Sequence, residues 1–258
     1  RDWSSDVCSS DLWIGEDDNL DRAGGADGNC VRRAMNPTPA DERLAAKLRG
    51  FGPLGVAAAL VVVALGPILE PFNSLAALAW VHYSRTPWSE VGLARPKSWP
   101  ATIALGAALG VGLKLALKAV VMPLLGAPAI NTEYHYLYGD LPATLSLLVV
   151  AIAGAGFGEE LVYRGFLFER LGRLLGTSAA AKMAIVLATA LLFGAIHYPV
   201  HGIYSATQAF INGLVFGTTF AITGRLWLLI LAHAAFDVLA ILIIYAGWEE
   251  RIAHLIMG

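Results

Sequence analysis

The sequence is poor in charged residues and in cysteine. Of its 258 residues, 15% are Asp, Glu, Lys or Arg, whereas soluble domains have about 25%. This scarcity of charge excludes a disordered chain, a nucleic-acid binder and most soluble enzymes. Both cysteines, Cys8 and Cys30, lie near the start of the chain. The remaining residues therefore have neither a disulfide framework nor thiol chemistry available to them.

Apolar residues are correspondingly abundant. They make up 57% of the chain, and the mean hydropathy is +0.61. Apolar stretches near the ~20 residues that a helix needs to cross a bilayer recur along most of the sequence. The period-two alternation of a transmembrane barrel is absent. The composition predicts an all-α, polytopic transmembrane helix bundle whose main partner is the lipid bilayer.

Residues 1–34 differ from the rest of the chain. They are rich in Gly and Asp, with a net charge of −4. They lack the basic and apolar regions of a signal peptide, and residues 1–12 resemble translated sequencing-adapter DNA. We therefore expect a non-native or disordered head, with Met35 as a native start. The expected organisation is a head at 1–34, a polar N-terminal segment at 35–50, a transmembrane domain at 51–246 and a short C-terminal tail at 247–258.

Polar connections divide residues 51–246 into spans. Residues 51–82 are interrupted by Pro67, Glu70 and Pro71, and form either one kinked helix or two short passes. Pro199 predicts a loop at 197–202, because proline cannot continue a helix. The later spans are expected at 100–125, 143–175, 179–197, 205–223 and 226–246.

The distribution of Lys and Arg predicts the orientation. Basic residues cluster at 43–49, 85–97, 164–182 and 225, whereas residues 126–142 and 198–204 contain none. The basic segments are expected to be cytoplasmic and the other two loops external. Both 43–49 and 85–97 are cytoplasmic only if 51–82 crosses the membrane twice. The bundle then has seven spans, whereas a single crossing gives six.

Three ionisable residues, Glu159, Glu160 and Arg164, lie close together in the sequence inside the span at 143–175. Glu160 and Arg164 are four residues apart on a helix, so they can form an ion pair. Glu159 points about 100° away from Glu160, and an isolated carboxyl group in apolar surroundings suits a general base. The alternative is a helix end with two solvated carboxylates.

Two histidines and a second acid lie in later spans. His197 closes an apolar span, either as a site residue or as an interfacial cap. His233 and Asp237 share one face of the last span, where they form either a private structural pair or part of a wet cavity. Glu159 and His197 lie at about 27 and 30 Å from a turn near residue 177. His233 and Asp237 reach the same level if residues 165–175 project beyond Arg225.

Convergence of these side chains predicts an intramembrane polar cavity that activates water. Glu159 would take a proton from a water molecule that His197 orients. His233 and Asp237 would stabilise the oxyanion, or the four residues would hold a metal ion. No Ser or Cys lies beside a histidine in a triad-like setting, so rhomboid-like serine chemistry is not supported.

Three motifs carry a resemblance to a known family. Glu159-Glu160-x-x-x-Arg164, Phe193-x-x-x-His197 and His233-x-x-x-Asp237 resemble, in order, the motifs of the CPBP intramembrane proteases. This family includes the CAAX prenyl endopeptidases of the Rce1 type and the bacteriocin-processing or self-immunity (ABI) proteins. The resemblance covers roughly residues 90–245.

The resemblance implies an intramembrane endopeptidase. Glu159 and His197 would activate water, and His233 and Asp237 would form the oxyanion site. Glu160, Arg164 and Phe193 would support them. Prenyl-protein proteases of eukaryotes carry Asn where this chain has Asp237. An ionised Asp cannot donate to an oxyanion, so Asp237 would be protonated, hold an imidazolium or bind a metal such as zinc.

The expected substrate is a hydrophobic or membrane-associated peptide, cleaved by a glutamate-dependent or a metallo-endopeptidase in the inner membrane of a prokaryote. One alternative is a non-catalytic immunity or scaffold protein of the same fold. Another is a small proton-coupled transporter, since intramembrane acids also form proton relays.

Other intramembrane polar residues are expected to lie outside the site. Lys114 and Lys118 are interpreted as side chains that snorkel to the interface. Asn212 is interpreted as a source of interhelical hydrogen bonds.

Overall fold

The computed structural model describes residues 38–65 and 72–255, and every regular element in these two ranges is helical. The expected head at 1–34, Met35 and the residues Pro67, Glu70 and Pro71 lie outside the described residues. The first helix, α1 (Pro39–Arg49), is capped by Thr38, whose hydroxyl accepts from the Asp41 amide. The Thr38 amide and hydroxyl in turn donate to the Asp41 carboxylate.

The other helices follow in a simple order along the chain. The helices are α2 (Pro53–Leu65), α3 (Phe72–Ser84), α4 (Trp99–Leu124), α5 (Leu141–Leu175), α6 (Ala179–Thr223), α7 (Leu226–Tyr245) and α8 (Glu249–Ala253). A 3₁₀ turn, His135–Leu137, lies in the connection between α4 and α5.

Within the described part of residues 51–82 lie two short helices, one on each side of residues 66–71, which are outside the described ranges. Helices α2 and α3 have 13 residues each and pack against one another. A helix of that length rises about 20 Å, which is shorter than the ~30 Å hydrocarbon core of a bilayer. Neither helix therefore crosses a bilayer of that thickness as a straight, perpendicular rod.

Helix α6 is a hairpin. Its 45 residues contain one non-helical residue, Gly202, with φ 71° and ψ −175°. The two halves, 179–201 and 203–223, are antiparallel: Lys182 donates to the Ala221 carbonyl, and Gly213 packs on Ala190. Each half has about the length that a bilayer-spanning helix needs.

The predicted loop at 197–202 is wrong in its extent, because helix continues through Pro199 to residue 201. Proline removes one backbone hydrogen bond, but it does not reverse the chain. Reversal needs a residue with positive φ, and Gly202 adopts this conformation without a Cβ clash. The turn therefore lies at Gly202, and Pro199 lies inside the last helical turn before it.

Helix α7 is the centre of the bundle. It runs parallel to α4, because Gly106 lies against Leu228 and Leu231, whereas Gly110 lies further along against Ala232. It runs antiparallel to α5, since Gly165 packs near Leu226 and the Gly139 amide donates to the Tyr245 carbonyl. The end of α5 therefore extends beyond the start of α7.

Among the described residues, four helices are long and apolar enough to cross a membrane, namely α4, α5, α6 and α7. The bent pair α1 and α2, at 63°, would make a fifth. The all-helical architecture is thus confirmed, whereas the six or seven spans stay a prediction.

Basic segments gather at one end of the bundle, which we call the basic end. Arg170 donates to the carbonyls of Arg49 and Gly50, and Arg173 pairs with Glu90. The amide of Leu226 donates to the Gly92 carbonyl at the same end. At the opposite end, His201 contacts Glu133. This separation agrees with the expectation that the loops without Lys or Arg share one side of the membrane.

Candidate active site

The three motif segments line one cavity of about 450 Å³. Helix α5 supplies Glu159, the first half of α6 supplies Phe193 and His197, and α7 supplies His233 and Asp237. Glu159 lies near the middle of α5, far from either end of the helix. The cavity is therefore intramembrane if α5 spans the bilayer, as its length and composition allow.

Glu159 lies in an unusual stretch of α5. Residues Ala151–Glu159 and Leu161–Phe166 are π-helical, so the backbone is wider there than in an α-helix. The first stretch contains Gly154, Gly156 and Gly158, of which Gly156 packs closely on Ala234 of α7. Such segments recur at functional sites, because they change the direction of side chains locally.

A buried chain of charged groups lies beside the cavity. Glu160 Oε1 accepts from Arg164 Nη1 at 2.8 Å and lies 2.7 Å from His233 Nδ1. The side chains of Glu160 and Arg164 are 0% and 1% exposed. Removing either partner would therefore leave an uncompensated charge in the protein interior. This arrangement fixes the ring of His233 through Nδ1.

The other face of His233 meets two more carboxylates. His233 Nε2 lies 3.7 Å from Glu159 Oε2 and 3.5 Å from Asp237 Oδ2. If Nδ1 donates to Glu160, a neutral ring presents its Nε2 lone pair to the cavity, and a protonated ring presents an N–H there. A protonated ring, held between Glu160 and Asp237, can therefore donate a hydrogen bond into the cavity.

Phe193 connects the other groups. Its ring lies 4.7 Å from the Arg164 guanidinium, 4.7 Å from the His197 ring and 6.2 Å from the His233 ring. Its backbone oxygen lies 2.7 Å from His197 Nδ1. Since a carbonyl only accepts, Nδ1 carries the proton, and Nε2 of a neutral His197 is an acceptor. Phe193 therefore fixes the rotamer and the tautomer of His197.

The described residues do not fit a zinc site, which the sequence left as one possibility. No group of three or more His, Cys, Asp or Glu side chains within 38–65 and 72–255 has an arrangement that could hold a metal ion. Nδ1 of His197 and Nδ1 of His233 are both engaged by protein groups. The metalloprotease alternative therefore has no support in this geometry.

Three residues assigned to other roles, Lys114, Lys118 and Asn212, also line the cavity. Lys114 was expected to snorkel to an interface, but it is buried, donates to Gln208 Oε1 at 3.5 Å and lies 4.7 Å from the Phe236 ring. Asn212 was expected to lie outside the site, but it lines the same cavity. Both helices are apolar on all sides, so sequence periodicity gives no signal for the face that turns inward.

The connection between α4 and α5 covers the end of the cavity that lies away from the basic end of the bundle. Tyr134 and Glu133 are part of its lining, and the Tyr134 ring stacks on His201 at 6.1 Å between centroids. Burial, followed by the neighbouring charge of Glu133, raises the pKa of Tyr134 to about 12. Its phenol is therefore a neutral hydrogen-bond donor at physiological pH.

Comparison with known proteins agrees with the motif resemblance. Residues 141–239 match the family model described as type II CAAX prenyl endopeptidase Rce1-like. The match covers less than half of the chain, but it contains all three motif segments, and it confirms the resemblance that they predicted. No curated protein and no solved structure matches the chain. The match supports a protease in general, and the apolar helices support an integral membrane protein.

Proposed function

We propose that this protein is an intramembrane endopeptidase that hydrolyses a peptide bond of a hydrophobic or membrane-associated substrate with water activated by Glu159 and His197. The observation that carries the proposal is that Glu159, His197, His233 and Asp237, from three separate helices, line one cavity. The Rce1-like match over the same residues supports a CAAX-protease-like reaction. We further propose the inner membrane of a prokaryote as its location.

In the proposed reaction, Glu159 is the general base. Its carboxylate accepts one proton of a water molecule while the neutral Nε2 of His197 accepts a hydrogen bond from the other. The water oxygen attacks the carbonyl carbon of the scissile bond, and the carbonyl π electrons move to its oxygen. The distance of 3.7 Å between Glu159 and His233 is longer than a hydrogen bond, as is common before a substrate is bound.

His233 and Asp237 stabilise the resulting oxyanion. Asp237 and Glu160 hold His233 as an imidazolium, whose Nε2–H donates to the negative oxygen. Asp237 thus acts through His233, without a direct contact to the oxyanion. The proton on Glu159 then passes to the nitrogen of the leaving group as the C–N bond breaks, which yields a carboxylic acid and an amine.

The decisive experiment measures hydrolysis of a quenched apolar peptide library by purified protein in lipid nanodiscs. We expect Glu159→Gln to lower kcat by about 10²–10⁴-fold, because general-base catalysis contributes that much. Mass spectrometry in ¹⁸O-labelled water should find one ¹⁸O in each new C-terminus. His197→Ala should lose activity to a similar extent.

Glu133→Gln is the matched control. Glu133 lines the same cavity but contacts His201 at the end of the bundle opposite the basic end. The Glu133→Gln variant should therefore hydrolyse peptides at a rate close to that of the wild type. A folded Glu159→Gln protein with wild-type turnover would remove Glu159 from the mechanism. A wild-type protein that binds peptide without cleaving it would favour the scaffold alternative. Proton flux in the absence of both peptide binding and peptide cleavage would favour a transporter.

A further inference from the structure

A polar stripe faces the cavity from the second half of α6. Ser205, Gln208 and Asn212 all line the cavity, and their spacings of three and four residues place them on one face of a helix. No motif described above includes any of them. The other residues between Ser205 and Asn212 are apolar except Thr207, whose hydroxyl donates to the Ile203 carbonyl. A polar face toward the cavity therefore requires an explanation.

Asn212 is the anchor of this stripe. It is 4% exposed, and its Oδ1 is buried without a hydrogen-bond partner. An unsatisfied buried amide is costly and rare, since nearly all buried polar groups in native proteins are paired. The neighbouring Gly213 packs directly on Ala190, so α6 cannot readily rotate to expose the amide. A bound ligand would satisfy it without any movement of the helix.

The position of Asn212 relates it to the proposed catalytic groups. Phe216, one helical turn further along α6, lies 5.6 Å from the His233 ring and 5.7 Å from the Arg164 guanidinium. Asn212 therefore lies about 6 Å along the helix axis from Phe216. In the other direction, Gln208 contacts Lys114, and Ser205 lies nearer to the turn at Gly202.

The stripe matches the main chain of an extended peptide. A carboxamide offers one donor group and one acceptor, which is the complement of a peptide group. From Asn212 to Ser205 the helix rises about 10.5 Å, and an extended peptide covers that distance with about three residues. The side chains of such a peptide would then point away from the stripe, toward the apolar walls.

We propose that Asn212 is a substrate-binding residue whose carboxamide hydrogen-bonds the backbone of an extended peptide next to the scissile bond, with Gln208 and Ser205 continuing along it. The inference rests on the proposed function, because the peptide must enter this cavity. It makes the site selective for an unfolded, extended segment through backbone contacts. In the interior of a helical substrate the backbone groups are already paired with one another.

The test measures binding, so that it does not depend on turnover. The protein is the full chain with Glu159→Gln in nanodiscs. The probe is a fluorescein-labelled peptide of eight alternating Ala and Leu residues, compared with a series in which one amide at a time is replaced by an ester. We expect one ester position to weaken binding about tenfold, which is the effect of one lost hydrogen bond. Asn212→Leu should weaken the all-amide peptide similarly and should abolish the difference between amide and ester at that position.

Thermal unfolding separates this role from a structural one. Asn212→Leu should keep or raise Tm, because it removes an unsatisfied buried group. Asn212→Ala is a second variant for the same comparison of amide and ester peptides. Thr219→Val on the same helix, whose hydroxyl bonds the Val215 carbonyl, is the matched control and should leave affinity unchanged.

A lower Tm for Asn212→Leu together with wild-type peptide affinity would overturn the inference and assign Asn212 to the packing of α6. An ester effect that persists undiminished in both Asn212 variants would overturn it as well. In either case the protein without Asn212 substitutions would still bind and, with Glu159 intact, cleave peptides. Failure of the proposed function is distinguishable, because the chain with Glu159 intact would then leave the all-amide peptide uncleaved, whether or not it binds that peptide.

Discussion

His233 is surrounded by carboxylates on both sides of its ring, and this arrangement gives Asp237 a different role from an amide at the same position. Nδ1 faces Glu160, and Nε2 lies 3.5 Å from Asp237 Oδ2. An ionised Asp accepts hydrogen bonds only, so it can stabilise an imidazolium but cannot donate to an oxyanion. An Asn side chain, by contrast, can donate a hydrogen bond to an oxyanion but has no charge with which to stabilise an imidazolium.

Asp237→Asn should therefore keep activity within about tenfold of the wild type, because the amide replaces charge stabilisation with a direct donor. Asp237→Leu supplies neither and should lose about 10²–10³-fold in kcat. Peptide hydrolysis with both variants, alongside Tm, checks this expectation. Equal losses for Asn and Leu would mean that the carboxylate itself is essential.

The ion pair of Glu160 and Arg164 is so deeply buried that its two halves depend on one another. Arg164→Met alone should lower the free energy of unfolding by about 3–5 kcal/mol, since the buried Glu160 carboxylate then keeps only His233 as a partner. Replacing both residues with Met should cost less than the sum of the single changes. Thermal or denaturant unfolding in mild detergent measures the cycle. Strictly additive effects would contradict the coupling.

At the level of helices, the contact between α4 and α7 depends on glycine. A Cβ on Gly110 would overlap the Ala232 carbonyl oxygen, whereas a Cβ on Gly112 would meet no atom within 4 Å. The two glycines lie two residues apart on α4, on different faces. Gly110 thus allows close approach to the residue that precedes His233.

Gly110→Ala should destabilise the protein by about 1–3 kcal/mol through overpacking and should lower activity by displacing α7. Gly112→Ala should be neutral or stabilising, because Ala has a higher helix propensity than Gly by about 1 kcal/mol. Tm in detergent and peptide hydrolysis provide the two readouts. Similar Tm values for the two variants would contradict the packing that we describe.

Sequence patterns located most elements because apolar runs, proline and glycine mark helix ends. Gly176 ends α5 and Ser178 caps α6, next to the turn expected near residue 177, and the Ser178 hydroxyl accepts from the Ala181 amide. The ion pair of Glu160 and Arg164 also followed from spacing alone. The extension of the helix beyond Pro199 did not follow from the sequence pattern, because it depends on which nearby residue can reverse the chain direction.

The rotation of each helix about its own axis was the harder property to predict. Helices that contact lipid and protein are apolar on all faces, so hydrophobic periodicity does not identify the inner one. Lys114 and Asn212 were for this reason assigned to the periphery. The inward orientation of the charged motif residues could be predicted, because the free-energy cost of exposing a charge to lipid is high.

For the whole molecule, the absence of cysteine beyond residue 30 allows the orientation to be tested directly. With Cys8 and Cys30 replaced by Ser, Tyr136→Cys and Lys97→Cys introduce single thiols at exposed positions on the two connections. A membrane-impermeant maleimide should label Tyr136→Cys on intact cells, and Lys97→Cys only after lysis, since the basic end is expected in the cytoplasm. The reverse pattern would contradict that orientation.

The central place of α7 has a consequence for biogenesis. Because α7 follows α5 and α6 along the chain, Glu159 and His197 enter the membrane before His233 and Asp237, the partners proposed for the oxyanion. Under the proposed mechanism, cleavage would begin only after α7 has packed between α4 and α5. The proposed protease would thus stay inactive in the insertion machinery until α7 has been inserted.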